Sequence, residues 1–252
     1  MPNLQLVILI ILFFATTVVG VVTGSNSLVT VPVMFQFGID EKVAVATNMF
    51  GLTFMSVGAS IPFLRSGAVD LKKVYPLAAL TVVGSAIGAA LVGLITGHGV
   101  KLIVSVAMIA IAAFTVFSHG RGGVESVGRH RSDALTFVLT FALGIYGGLY
   151  SGGYVTVLTV VLVAFFGLGY AESIASTKVI NVFSSSVATI VFAWQGLIDY
   201  RLGLILGATM FAGAYVGAHY AARMNETWLR RIFLFTVFVL AIKTIFDIFR
   251  GW

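Results

Sequence analysis

Apolar runs of 16 to 24 residues, separated by short polar or charged breaks, occupy nearly the whole chain: roughly 3–20, 22–37, 41–64, 74–96, 100–118, 133–150, 152–168, 172–195, 201–222 and 228–249. A helix rises 1.5 Å per residue, so about 20 apolar residues cross a hydrocarbon core of roughly 30 Å. The strands of an outer-membrane barrel would instead show as alternating segments of about 10 residues. The pattern predicts an all-α polytopic membrane protein. One long hydrophilic stretch, Ser118 to Asp133, parts the runs into two sets of five. The organisation expected is a first transmembrane repeat over 1–118, a cytoplasmic linker over 119–132 and a second transmembrane repeat over 133–252.

The two sets read as a duplication. Gly38, Gly67, Asp70, Gly84 and Gly88 stand 129 positions before Gly167, Gly196, Asp199, Gly213 and Gly217, without a gap. Any single match would be weak in a chain with 28 glycines, but five in register argue for a repeat. Upstream, Gly20 and Gly24 mirror Gly148 and Gly152 with a slip of one residue.

Charge placement makes the repeats inverted. Loop 65–73 carries Arg65, Lys72 and Lys73, while its counterpart 195–201 carries Arg201 alone; loop 97–101 has only Lys101, and its counterpart 223–231 has Arg223, Arg230 and Arg231. Basic loops stay cytoplasmic, so equivalent loops face opposite sides, and each half must cross an odd number of times. Residues 3–38 would extend about 54 Å as one helix, so each half opens with a hairpin at a glycine break, either two short spans or two half-helices.

Composition agrees. Apolar residues make up 59% of the 252, and charged residues only 10%, against about 25% in soluble domains. The formal charge of +6 comes from charges that sit one to three at a time in the loops with no basic stripe, which suits membrane orientation and excludes a nucleic-acid partner. Zero Cys excludes disulfides and thiolate sites. The start, Met1-Pro2-Asn3-Leu4-Gln5, lacks the basic region of a signal peptide, so the first segment is expected to remain in the mature protein.

Candidate chemistry gathers at the breaks and just beyond them. The first reads Gly20-Val-Val-Thr23-Gly24-Ser25-Asn26-Ser27; the second reads Gly147-Gly148-Leu-Tyr150-Ser151-Gly152-Gly153-Tyr154. Glycines admit a ligand to the backbone, and the amides and dipole at the start of the following half-helix favour an anion. At matching offsets follow Thr47 and Asn48 in the first half, and Thr177, Lys178 and Asn181 in the second. An ammonium inside a span is costly unless it lines a wet cavity or meets a counter-charge. Lys178 is therefore either the partner of an anionic substrate or a side chain snorkelling past Glu172 to the helix end. Asp70 and Asp199 fit helix caps, Gly84, Gly88, Gly213 and Gly217 fit close helix packing, and Tyr75, Trp228 and Trp252 fit interfacial anchors. Gln36 and Gln195 near segment ends fit the interface, and His219 fits a packing role. Every carboxylate falls in a loop or near a segment end, so no carboxylate relay, nucleophile–base pair or metal cluster is expected within the spans.

Two stretches carry a family resemblance: "GVVTGSNSLVTVPVMFQFGIDEKVAVATNMF" with "LRSGAVD", and "GGLYSGGYVTV" with "AESIASTKVINVFSSSVATIVFAWQGLID". In order and spacing the chain resembles the TauE/SafE sulfite exporters, bacterial inner-membrane permeases, from about residue 7 to 245. The resemblance implies export of a small sulfur-containing anion, sulfite or a C2 sulfonate such as sulfoacetate. It places Gly24, Ser25 and Asn26 in one substrate loop, Ser151 and Gly152 in the other, and Thr47, Thr177, Lys178 and Asn181 on the paired segments. The expectation is a multi-pass inner-membrane transporter, not an enzyme, without cofactor or metal, driven by membrane potential. Its partners are the lipid bilayer and a small anionic substrate, with a homodimer left open. An anion channel and a non-transporting scaffold are the competing readings.

Overall fold

The computed structural model describes residues 3–24, 26–119, 132–225 and 228. Ser25, most of the linker 119–132 and nearly all of the tenth apolar run, with Arg230, Arg231 and Trp252, lie outside the described residues. Helices follow one another in the order α1 (Asn3–Thr23), α2 (Ser27–Gln36), α3 (Glu41–Arg65), α4 (Leu71–Leu94), α5 (Gly97–His119), α6 (Asp133–Leu149), α7 (Tyr154–Phe165), α8 (Tyr170–Trp194) and α9 (Tyr200–Ala221). No strand occurs among the described residues. Five of these helices are long and apolar enough to cross a membrane: Leu4–Thr23 within α1, and α3, α4, α8 and α9.

A spacing of 129 positions recurs in the backbone. Among the described residues, positive φ occurs at Gly24, Gly38, Gly67, Gly153, Gly167 and Gly196, three pairs each 129 positions apart. Helices α3 and α8 begin and end 129 positions apart as well. This register corrects the slip expected upstream: the conformational mate of Gly24 is Gly153, not Gly152. Gly20 and Gly148 also lie inside helices rather than in the breaks. A Cβ on Gly20 would sit 3.1 Å from Asn26 Cβ, and one on Gly148 would collide with the Ser85 backbone. Those glycines permit close packing; the positive-φ glycines that turn the chain follow four and five residues later.

Asp70 and Asp199 cap their helices as the sequence suggests, and Asp40 caps α3 in the same way. Asp70 accepts from Lys72 N at 3.1 Å, Asp199 from Leu202 N at 3.0 Å and Asp40 from Lys42 N at 3.0 Å. Each satisfies at least one of the orphan amides of a first turn, a cap whose loss costs about 1 kcal/mol.

Helix directions follow from their contacts. Gly203 of α9 meets Phe50 of α3, Gly207 meets Phe54, and Gly58 meets Phe211, so α3 and α9 run parallel. Gly84 and Gly88 of α4 receive Phe141 to Leu149 of α6 in ascending order; Gly213 and Gly217 of α9 receive Phe14 to Val18 of α1 in the same way. The four glycines expected to pack helices therefore do one job twice. A Cβ at Gly88 or Gly217 would strike the carbonyl of Ile145 or Val18. Between hydrocarbon tails, this close backbone approach supplies the dispersion that holds helices together. Helices α3 and α8, equivalent in the two halves, pass each other antiparallel, with Thr53 beside Thr189 and Ser56 beside Asn181.

The polar distribution reverses that of a soluble domain. Leu4, Ile8 and Ile11 of α1, Val83, Ile87 and Leu91 of α4, and Leu204 of α9 are exposed, while Thr30, Asn48, Ser56, Thr81, Ser85, Lys178, Asn181 and Ser184 are buried. Lipid suits the first set. The second must find hydrogen bonds inside, since hydrocarbon offers none. Tyr75 and Trp228 are exposed, as interfacial anchors should be, and His219 stacks on Tyr215. Gln195, half-buried at the end of α8, donates to Ala89 O at 3.1 Å.

Candidate functional site

Each half of the chain opens with a longer helix followed by a short one. Helix α2 has 10 residues and α7 has 12, about 15 and 18 Å, or half a bilayer core. Both short helices start in the interior, and their starts touch. Ser27 Oγ lies 2.7 Å from Ser151 Oγ, Tyr150 Oη donates to Ser27 O at 3.0 Å, and Thr156 Oγ1 donates to Thr23 O at 2.7 Å. Gly24 makes this junction possible: a Cβ there would stand 2.8 Å from Thr156 N, and its φ of +71° suits glycine. The hydroxyl of Tyr146 donates to Gly152 O, which fixes the second break from behind.

At the junction is a tight cleft lined by Gly24, Asn26, Ser27, Leu52, Met55, Ser56, Ser151, Val155, Lys178 and Asn181. In this conformation it admits little more than a water molecule. Neither N-cap residue, Asn26 for α2 or Gly153 for α7, turns a side-chain acceptor onto the amides of its helix. The positive ends of two helix dipoles thus converge uncapped on one small volume, the arrangement that favours an anion.

Lys178 decides the sign of the site. It does not snorkel: the residue is 3% exposed, lines the cleft and donates to Gly20 O at 3.2 Å. That carbonyl already receives Gly24 N at 2.8 Å. An ammonium has three donors, and among the described residues no carboxylate reaches Lys178; the ion pairs there join Lys73 to Asp70 and Glu172 at the surface. Asn181, one turn on, donates to Ser56 Oγ at 2.7 Å. The residue 129 positions before Lys178 is Met49, so the spacing shared by the two halves carries a charge on one side alone.

Of the residues expected at the site, Gly24, Asn26, Ser151, Lys178 and Asn181 come together at the cleft. Ser25 lies outside the described residues. The remaining four stand behind the cleft wall or away from it. Asn48 donates to Ser27 Oγ at 2.9 Å and accepts from Thr30 at 2.7 Å, so it orients a cleft hydroxyl. Thr47 accepts from Asp199 N at 3.0 Å and ties α3 to the start of α9. Thr177 returns its hydroxyl to Ile174 O at 2.8 Å, and Gly152 holds Tyr146. Sequence reasoning missed Ser27 and Ser56 as cleft residues. Ser27 closes the first break, and Ser56 lies seven positions beyond Met49, two turns along one face.

Comparison with known proteins fits this architecture. The family model "Sulfite exporter TauE/SafE" matches residues 8–244. The chain is 28% identical over 250 residues to "Probable membrane transporter protein ORF9" of a Sinorhizobium species, covering 98% of this chain and 96% of that one. It is 25% identical over 252 residues to a "Probable membrane transporter protein" of Haemophilus influenzae, with the same coverage. It is 24% identical over 242 residues to "Probable membrane transporter protein YfcA" of Escherichia coli, covering 94% and 89%. No solved structure matches. The chain belongs to the TauE/SafE family and is a multi-pass membrane transporter.

Proposed function

We propose that this TauE/SafE transporter exports a small sulfur-containing anion, sulfite or a C2 sulfonate such as sulfoacetate, across the cytoplasmic membrane. The observation that carries the reading is the meeting of two uncapped half-helix starts with the buried Lys178 in one cleft. An oxyanion there would accept from the Lys178 ammonium, from Ser27, Ser151 and Asn181, and from the amides opening α2 and α7. A buried lysine costs about 2.5–3.5 kcal/mol on insertion scales, and an anion that shares its desolvated site offsets that cost by direct attraction.

Antiparallel α3 and α8 support a repeat inverted across the bilayer, the plan by which paired half-helices hold a midplane site while one half rocks against the other. The closed cleft favours a carrier over a channel. With no carboxylate among the residues that line the cleft, membrane potential is the proposed driving force: about 100 mV, inside negative, contributes about 2.3 kcal/mol per exported charge, more than a tenfold concentration ratio.

Thermal unfolding of the purified protein with sulfite, sulfate, thiosulfate, sulfoacetate, taurine or acetate tests the site. A ligand at 100 times its Kd stabilises by about 2.7 kcal/mol. The expected result is stabilisation by a sulfur oxyanion that disappears in Lys178→Met; no anion-dependent shift in the native protein would sink the reading.

A further inference from the structure

We infer that the cleft selects its cargo by valence and carries monoanions. This rests on the anion-carrier reading and narrows it to hydrogensulfite and monosulfonates, at the expense of dianions such as sulfoacetate and sulfate. Among the described residues that line the cleft, Lys178 is the one that carries a charge, and it is nine-tenths buried or more. The duplicated fold offers a matching position on α3, and Met49 fills it. The remaining polar lining, Asn26, Ser27, Ser56, Ser151 and Asn181, is neutral, and Leu52, Met55 and Val155 complete the wall.

Inside such a wall, net charge governs the energy. A monoanion beside the Lys178 ammonium leaves the closed cleft neutral. A dianion leaves one uncompensated negative charge in low dielectric, and the partial charges of two helix ends replace only part of its lost hydration. The three apolar side chains cannot solvate it, but they suit the short hydrocarbon tail of a monosulfonate. The same count fixes where voltage acts. The loaded cleft crosses the membrane with no net charge, and the empty cleft returns with Lys178 uncompensated. An inside-negative potential therefore speeds the return of the empty carrier and leaves the loaded step untouched.

The test uses the full-length protein in liposomes loaded with labelled methanesulfonate. Exchange against external methanesulfonate is compared with exchange against ethane-1,2-disulfonate, whose two charges are permanent, each with and without an imposed potential of about 100 mV. Expected are exchange faster by about tenfold or more with the monoanion, a monoanion exchange rate that ignores the potential, and net efflux that rises with it. Lys178→Arg keeps the preference, and Lys178→Gln makes any surviving exchange of methanesulfonate voltage-sensitive. Equal exchange of the disulfonate, or exchange as voltage-dependent as net efflux, overturns valence selection while leaving an anion carrier standing. Exchange of no anion at all overturns both.

Discussion

The hydroxyls of Ser27 and Ser151, 124 positions apart in the chain, lie 2.7 Å from each other. Ser27 opens α2 and Ser151 lies in the break before α7, and their hydrogen bond joins the two halves of the chain where the cleft forms. Ser27 is held further by Asn48 Nδ2 at 2.9 Å and, through its carbonyl, by Tyr150 at 3.0 Å. The lining of the cleft is thus set by an interlocked group of polar contacts drawn from both repeats.

Coupling between these serines is measurable. Ser27→Ala and Ser151→Ala should each lower stability by about 0.5–1.5 kcal/mol. Because they share one bond, the double variant should lose less than the sum. Thermal unfolding of the four proteins in detergent gives the interaction energy, for which intramembrane bonds set a scale of about 0.6 kcal/mol and a ceiling near 1.7. Strict additivity would show that the bond does not hold the halves together.

Thr47 and Lys178 should separate stability from binding in opposite directions. Thr47→Val removes the acceptor of Asp199 N, an amide at the start of α9. It should cost about 1 kcal/mol of stability and leave anion affinity unchanged in the thermal-shift titration. Lys178→Met removes a charge that has no carboxylate near it among the described residues. Its unfolding temperature without ligand should equal or exceed that of the native protein, because the desolvation cost disappears. Its anion response should vanish. A Thr47→Val protein that unfolds normally but no longer responds to anions would move Thr47 into the binding surface.

Glycines that look alike in the sequence should respond very differently to alanine. At Gly88 a Cβ would meet the Ile145 carbonyl and the α6 backbone, neither of which can yield without separating two helices. Gly88→Ala should cost about 1–3 kcal/mol, the scale of overpacking. At Gly169 no atom of the described residues lies within 4 Å of the added Cβ, and φ is −63°, so Gly169→Ala should stay within about 0.5 kcal/mol of the native protein. Unfolding temperatures of the two variants, measured side by side, check the ordering.

These contrasts explain how far the sequence could be read. The spans were legible because apolar runs and charged breaks report directly on the lipid boundary, and Asp70 and Asp199 announced their caps by position. Gly20 and Gly24 could not be told apart, since one admits a neighbouring residue and the other turns the chain, and both functions ask only for a missing Cβ. Likewise Thr47 and Ser56 are both small hydroxyl residues on α3. Which one faces the cleft depends on helix rotation and on the arrival of Asn181 from the other half. Lys178 stood out because a lone cation in an apolar run needs an explanation, whatever the fold.

Orientation of the two repeats is open to the most direct test, because the chain has no cysteine and every introduced thiol reports alone. The α3–α4 turn carries Lys72 and Lys73; the equivalent α8–α9 turn carries Arg201. Since α3 and α8 pass antiparallel, these turns should emerge on opposite faces of the bilayer. The positive-inside bias assigns the lysine pair to the cytoplasm. Lys72 and Arg201 both fall in the first turns of exposed helix starts, where substitution disturbs no buried contact. In intact cells an impermeant maleimide should label Arg201→Cys and spare Lys72→Cys, and permeabilised cells should label both. Equal labelling of the two in intact cells would place both turns on one side and remove the inverted plan, and with it the reason for the half-helices to meet at mid-depth.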